Sequence, residues 1–497
     1  MDLFENDILN EREKNKKIAK ITLISIIIVV ILCIAIFGAI VYLQSLKLKV
    51  DIDGVRTTIA DDLFIIDENG KVYVSIKDIA TLLQYEYFNG EYGKVSEDAT
   101  KCYVKSKDEI ATFEANSERI YKTPNTTNIE YEYYDVSEPV RIINEKLYII
   151  SDGVTIAFNS KFNYNQKSNT ITIFSLPYLV QYYTTNILNY GYKELSSDFA
   201  NQKALVYDMI VAKKDTGSYG VITADKKEIL GAKYANIEFI ENTKDFFVTT
   251  SAKKMGLMSN KAEPKINDEY DKIQLLDKDL ELYLVENNSR KGVVDKNGKI
   301  VIYLEYDDIG LEKVEQYKSS DIKNRYLLFD NCIIVKQNDK WGMFDKTGKL
   351  ILPIEYDRFG YIVSTSKDKA VNNLAVIPEY EAIVICKDKK YGLVNSIGDI
   401  IIPVALDKIY SITSSGKESF EMEYQGNTGD VIQYLEAHNV PKANYVKTNT
   451  GTGLENITVN NQTGNTSNNN VSSTNTTNED ASNNNVNNGI EEDTRTE

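Results

Sequence analysis

The chain has 497 residues, a formal net charge of −16 and a pI near 4.9, a balance that repels polyanions over long range and excludes nucleic acid as an expected partner. A single histidine, His438, excludes a metal centre built on several imidazoles, and the expected cofactor complement is none. Of four cysteines, Cys33 lies in a long apolar run, and Cys102, Cys332 and Cys386 leave an odd number at positions without a repeating pattern, so folding is expected to rely on burial rather than disulfides.

Residues 21–46 run twenty-six positions without a charge. As a helix at about 1.5 Å per residue they exceed a hydrocarbon thickness of about 30 Å. A cleaved signal carries a shorter apolar core of about 7–15 residues, so the span reads as an uncleaved signal anchor. Arg12, Lys14, Lys16, Lys17 and Lys20 precede it, whereas Lys47, Lys49 and Arg56 follow. That bias predicts a cytoplasmic tail over 1–20 and the bulk of the chain outside the cell.

Residues 50–176 show short β runs broken by helical spacing. Val72, Tyr73 and Val74 suit a strand, and Ile76, Ile79, Ala80 and Leu83 recur as on one helix face. Lys146, Leu147, Tyr148 and Ile149 followed by Val154 and Ile156 give a second weak copy, closed by a strand near 171–174. The expected unit is an α+β module. Its stretch 70–80, GKVYVSIKDIA, resembles the stalk domain named after the N-terminal domain of copper amine oxidases. That resemblance implies a non-catalytic extracellular module, and the lone histidine removes any copper role.

Residues 177–203 read as a connector. From 204 to 446 the chain repeats itself: Gly220, Gly256, Gly292, Gly342 and Gly392 are each followed fourteen residues later by Tyr234, Tyr270, Tyr306, Tyr356 or Leu406. The outer spacing varies between thirty-six and fifty residues, so the fixed offset marks a structural unit and the variable part a loop. The residue before each Gly is Tyr219, Met255, Lys291, Trp341 or Tyr391. Gly298, Gly348 and Gly398 mark a second turn, and Asn297-Gly298 suits a type I′ turn. Each unit therefore reads as a meander of at least three strands that must stack on its neighbours. The Tyr is expected to cover the signature Gly, with Ile237, Ile273, Ile309, Phe359 and Ile409 holding an apolar place three residues further on.

These residues resemble the WG-repeat family, most fully in Lys340-Trp341-Gly342-Met343-Phe344-Asp345-Lys346-Thr347-Gly348-Lys349 and Glu355-Tyr356-Asp357. The family is described by its repeats rather than a shared reaction, so the resemblance implies a binding or scaffold surface. Residues 447–497, rich in Asn, Thr and Ser, are expected to be disordered and carry no Leu-Pro-x-Thr-Gly sorting signal, leaving the N-terminal helix as the expected anchor.

Recurring Asp271, Asp307, Asp357 and Asp407 could bind calcium, but one carboxylate per unit points instead to a turn or strand-end role. Lys253, Lys254 and 387–390 could meet an anionic wall polymer or simply keep edge strands soluble. The expected architecture is one transmembrane helix, an α+β stalk-like module and an all-β array of stacked hairpin or meander units, either propeller-like or a solenoid. The expected role is a non-enzymatic membrane-anchored surface protein whose array binds a cell-wall polymer or envelope protein. A spacer or adhesin without a specific ligand is the alternative, and a carboxylate-dependent glycoside hydrolase is the third reading.

Overall fold

The computed structural model describes residues 2–90, 92, 98–125, 132–311, 326–329, 331–364, 370–373, 376–414 and 417–443. The 447–497 tail lies outside the described residues. Helix α1 covers Asp2–Leu46, and its apolar window within 12–36 is wholly unburied. By length and composition it can cross a membrane, a test that a signal sequence near an N-terminus also passes. Only Lys47 and Leu48 separate it from the first strand, Lys49–Ile52.

The N-terminal module is built from two related halves. Strand Val72–Ser75 leads into α2 (Ile76–Leu82), and strand Lys146–Ile150 leads into α3 (Ser151–Phe158). The two strands pair antiparallel with Val74 opposite Ile149, so the weak sequence copies meet back to back. The closing strand, Thr170–Ser175, runs parallel to Lys49–Ile52. A five-stranded meander, Glu86–Asn89, Lys101–Lys105, Glu109–Glu114, Arg119–Pro124 and Glu132–Asp135, completes the module. Its core joins Ile76, Ile79, Phe113, Tyr148, Ile149, Phe158 and Ile171.

Five four-stranded antiparallel sheets follow in chain order, ending at Tyr234, Tyr270, Tyr306, Tyr356 and Leu406, then a three-stranded sheet of Lys408–Ser414, Lys417–Tyr424 and Asn427–Asp430. The first sheet opens with Glu194–Leu195, inside the stretch expected to be a connector. Helix α4 (Leu176–Asn186) packs Leu179 and Tyr183 against Ile210, Ala212 and Ile222 on that sheet's outer face. Helix α5 (Phe199–Lys203) lies in the loop after the sheet's first strand, and α6 (Val431–Ala437) closes the described chain.

Continuous apolar runs explain the stacking. In the fourth sheet Ile333 and Val335 face the third sheet, while Ile334 faces the fifth. In the second sheet Phe246 packs on the first sheet and Phe247 on the third. Alternation along a strand thus feeds two cores at once. The recurring Tyr ends one sheet and the apolar residue three positions later begins the next, as with Tyr306 and Ile309 in a shared core. Each sequence unit therefore straddles two sheets, giving three strands to one and the opening strand to the next, so that each sheet holds four strands, one more than the minimum expected per unit.

The signature Gly lies in a bulge. Tyr219, Met255, Lys291, Trp341 and Tyr391 stand opposite Tyr234, Tyr270, Tyr306, Tyr356 and Leu406, and the register then shifts across the Gly. A Cβ on Gly292 would lie 2.7 Å from the Ile302 carbonyl oxygen, and one on Gly342 would lie 2.8 Å from that of Leu352. The expectation that the distant Tyr covers the Gly is corrected: bulged backbone covers it, and the Tyr pairs with the residue before it. The type I′ assignment also moves. At Asn297-Gly298 only the Gly takes positive φ, +75°, whereas both central residues do so at Asn288-Ser289, Asn338-Asp339 and Asp388-Lys389. Those three are the tips of the signature hairpins.

Gly348 (φ +84°) sits where a Cβ would collide with the Val301 carbonyl of the preceding sheet, while Gly217 (φ +87°) has nothing within 4 Å. Gly348→Ala is expected to cost about 2–4 kcal/mol, from left-handed strain plus overpacking. Gly217→Ala should cost about 1–2 kcal/mol from strain alone. Denaturant titration separates them, and equal losses would refute the inter-sheet contact.

Candidate functional site

Two recurrent arrangements concentrate the polar chemistry, and the first lies at the joints between sheets. Asp271 Oδ1 accepts from Lys254 Nζ at 2.7 Å, and its Oδ2 accepts from the Asn288 backbone N–H at 2.8 Å. Asp307 pairs with Arg290 and accepts from Asn338 N at 2.7 Å. Asp357 takes Lys340 Nζ at 2.5 Å and Asp388 N at 2.7 Å, and Asp407 takes Lys390 Nζ at 2.5 Å and Gln425 N at 2.7 Å. In each case the base belongs to the Asp's own sheet and the backbone donor to the hairpin tip of the next. The Asp backbone N–H groups donate to Glu286, Lys336, Cys386 and Glu423 carbonyls, all at 2.8 Å. The first unit has Ser218 and Ala235 at these two places and lacks the clamp.

Hydrogen bonding from the lysine, then from the backbone N–H, holds Asp271 and Asp407 below the ordinary carboxylate range; at Asp357, Lys340 likewise outweighs slight burial. Oxygen atoms that could have faced calcium are committed to these bonds. Among the described residues no group of three or more His, Cys, Asp or Glu is placed to hold a metal. Of the lysines considered for a wall polymer, Lys254, Lys387 and Lys390 pair with Asp271, Glu355 and Asp407.

The second arrangement lies where the N-terminal meander meets the array. Lys122 Nζ, 3% exposed, is 2.9 Å from Glu109 Oε2 and 3.0 Å from Glu241 Oε2. Lys203 Nζ is 2.8 Å from Glu109 and 2.9 Å from Glu241. Glu109 and Lys122 come from the meander, Lys203 from α5, and Glu241 from the first turn of the second repeat sheet. Tyr207 Oη donates to Glu241 at 3.1 Å. Burial alone would raise Glu241, but the charges of Lys122 and Lys203 overcome it and hold the carboxyl down to about 2. Burial pushes Lys244, whose Nζ lies 3.8 Å from the Tyr207 ring centre, down to about 8 against the pull of Glu241. Around this cluster Tyr133 donates to Asp279 at 2.6 Å, and Lys278 pairs with Asp135 at 2.6 Å.

Sequence reading did not find the second cluster. Its members lie at 109, 122, 203 and 241 with no common spacing, and nothing local marks a charged residue that will be buried. The joint did carry a signal: a base two positions before the signature Gly and an acid seventeen positions after that base recur together, and both are missing together in the first unit. His438 ends α6 with its ring stacked 4.0 Å from Tyr434. Cys102, Cys332 and Cys386 are buried free thiols. A recess of about 60 Å³, lined by Lys272, Leu284, Glu286, Lys291 and Tyr326, is far below the roughly 300–1,000 Å³ of small-molecule sites.

Residues 292–311 and 341–364 match the family described as WG containing repeat. The match is thus to repeats within the array, over two short segments of the chain. They fall in the third, fourth and fifth sheets, where Lys291-Gly292 and Trp341-Gly342 each form the bulge described above. No curated protein matches the chain. Among solved structures, a crystal structure of the eukaryotic initiation factor is 9% identical, with 69% of this chain and 87% of that chain covered at a TM-score of 0.25. A crystal structure of BBS1N in complex with ARL6DN, soaked with mercury, is 8% identical, with 70% and 89% covered at 0.18. At such scores the description of the array rests on its own sheet order.

Two predictions follow from the paired charges. Asp357→Ala should lower stability by about 1–2 kcal/mol at neutral pH, a value discounted for partial exposure. Because the folded carboxyl lies below its unfolded value, this contribution is complete above the ordinary aspartate range and disappears as pH falls through the folded value. Wild type and variant should therefore converge in acid, as read by thermal melts from pH 7 downward. Glu241→Ala leaves the buried Lys203 ammonium short of a partner and should cost about 3–5 kcal/mol. Limited proteolysis should then cut first between the meander and the second repeat sheet; an unchanged pattern would show that the cluster does not hold the modules together.

Proposed function

We propose that this WG-repeat chain is a single-pass membrane protein whose α+β module is a stalk and whose array is a rigid, non-catalytic scaffold on the cell surface. The observation that carries the reading is the repeated Asp joint, which spends the regularly spaced carboxylates and bases on holding sheets together. The stacked sheets support an open array: α4 covers the first sheet's outer face, and the last sheet's outer face carries Lys408 paired with Glu423 and Tyr410 bonded to Glu421. Polar terminal faces are what open repeat stacks need for solubility. The intended ligand class is a cell-wall polymer or an envelope protein, met by loops and hairpin tips that the scaffold holds in fixed register.

A spacer role has its own support in the two-residue link after α1 and the buried ions between modules, which together fix the array's distance from the bilayer. For a glycoside hydrolase the candidate acid is Glu238, whose carboxyl is raised by desolvation and then by the charges of Asp198 and Glu132. Detergent-extracted full-length protein should retain purified wall polymer saturably, and an Asp271, Asp307 and Asp357 triple Ala variant should lose that retention. Retention by neither leaves the spacer, and glycan turnover abolished by Glu238→Gln would replace both. Protease added to intact cells should digest the array; its survival beside digested surface proteins would overturn the orientation.

A further inference from the structure

Within the buried cluster, three different functional groups touch one another in a closed triangle. Lys122 Nζ is 3.1 Å from Asn159 Oδ1, Asn159 Nδ2 is 3.1 Å from Glu109 Oε2, and Glu109 Oε2 is 2.9 Å from Lys122 Nζ. Asn159 is 2% exposed and Lys122 is 3% exposed. Asn159 ends α3 in a left-handed conformation (φ +45°), which fixes where its carboxamide points. Tyr134 and Phe158 are buried nearby, and the Lys122 amine lies 5.3 Å from the Tyr134 ring centre.

An amine and a carboxamide exchange extremely slowly in water, for three reasons that this site removes. The amine is protonated, the leaving nitrogen is unprotonated, and the partners meet too briefly. Here the partners are held in contact away from solvent, and one carboxylate oxygen reaches both the proton to be removed and the nitrogen that must receive it. The second ammonium, Lys203, stands 2.8 Å from Glu109 and 2.9 Å from Glu241, so two cations compete for two carboxylates. Passage of one proton from Lys122 to Glu109 leaves the net charge of these four groups unchanged, so the transfer strands no uncompensated charge in the interior.

We propose that Lys122 and Asn159 are joined by an intramolecular amide bond formed by the protein itself, with Glu109 as the proton carrier. Lys122 Nζ, having given a proton to Glu109, attacks Asn159 Cγ, and a bond forms between them. Glu109 delivers that proton to Nδ2, the Cγ–Nδ2 bond breaks, and ammonia leaves. Of the two protons left on Nζ, one stays on the new secondary amide and the other passes through Glu109 to the departing ammonia, which is released as ammonium, so no oxidant, reductant or further reactant enters. The product ties strand Arg119–Pro124 to the end of α3 inside a module whose one cysteine, Cys102, is an unpaired buried thiol. Glu241 and Lys203 remain as the ionic contact across the modules.

The experiment is mass spectrometry of the full-length protein extracted from membranes. The intact chain is expected to be lighter than its sequence by one ammonia, and digestion after Lys and Arg should give a branched peptide joining 120–141 to 147–161 through an uncut Lys122. An intact mass equal to the sequence mass, with linear peptides only, overturns the proposal without any variant. Loss of ammonia without the branched peptide, as a succinimide at Asn159-Ser160 would give, overturns it equally. Glu109→Gln keeps the shape but cannot carry the proton, and the branched peptide should be lost; Lys122→Arg should lose it as well. A branched peptide that persists in Glu109→Gln would refute the carrier role.

Discussion

Every repeat sheet is apolar on both faces, and that single property forces most of the molecule. A sheet whose strands alternate between two cores cannot be stable alone, because each face left in water forfeits burial worth about 25 cal/mol per Å². The pairs Phe246 and Phe247, or Ile333 and Ile334, show the same strand serving two neighbours. The ends then need different solutions. A helix supplies the missing neighbour at the first sheet, and ion-paired and hydrogen-bonded side chains face water at the last.

Hydrophobic contact alone would let such sheets slide or tilt, so direction must come from polar groups. The joint Asp provides it by taking a base from one sheet and a backbone N–H from the next, while its own N–H extends the ladder across the gap. Glycine contributes from the opposite side: the signature Gly admits bulged backbone in its own sheet, and Gly348 admits the carbonyl of the sheet before. Charge and close approach thus set the stacking geometry together, and the aromatic residues fill the space that remains.

Much of this was legible in the sequence because it repeats. The fixed Gly-to-Tyr offset, the second turn and the apolar residue three positions later all mark real elements, and the weak strand–helix copies in the N-terminal module pair with each other. Phase was not legible: a repeat in sequence does not reveal which strand belongs to which sheet, and so the Tyr was given the task that bulged backbone performs. The turn at Asn297-Gly298 was misread because residue preference there serves a type I′ turn and other left-handed glycine turns alike. The cluster of Glu109, Lys122, Asn159, Lys203 and Glu241 was invisible since distance along the chain hides burial, and a lysine looks the same at a surface and in a core.

That each sequence unit straddles two sheets has a genetic consequence. A tandem duplication of one period, wherever its breakpoints fall, returns a whole number of sheets, because the strand donated forward by one unit is replaced by the strand received from behind. Such an array can lengthen or shorten without ever exposing an orphan edge. Its length is open to change by recombination, while the first and last sheets stay as they are.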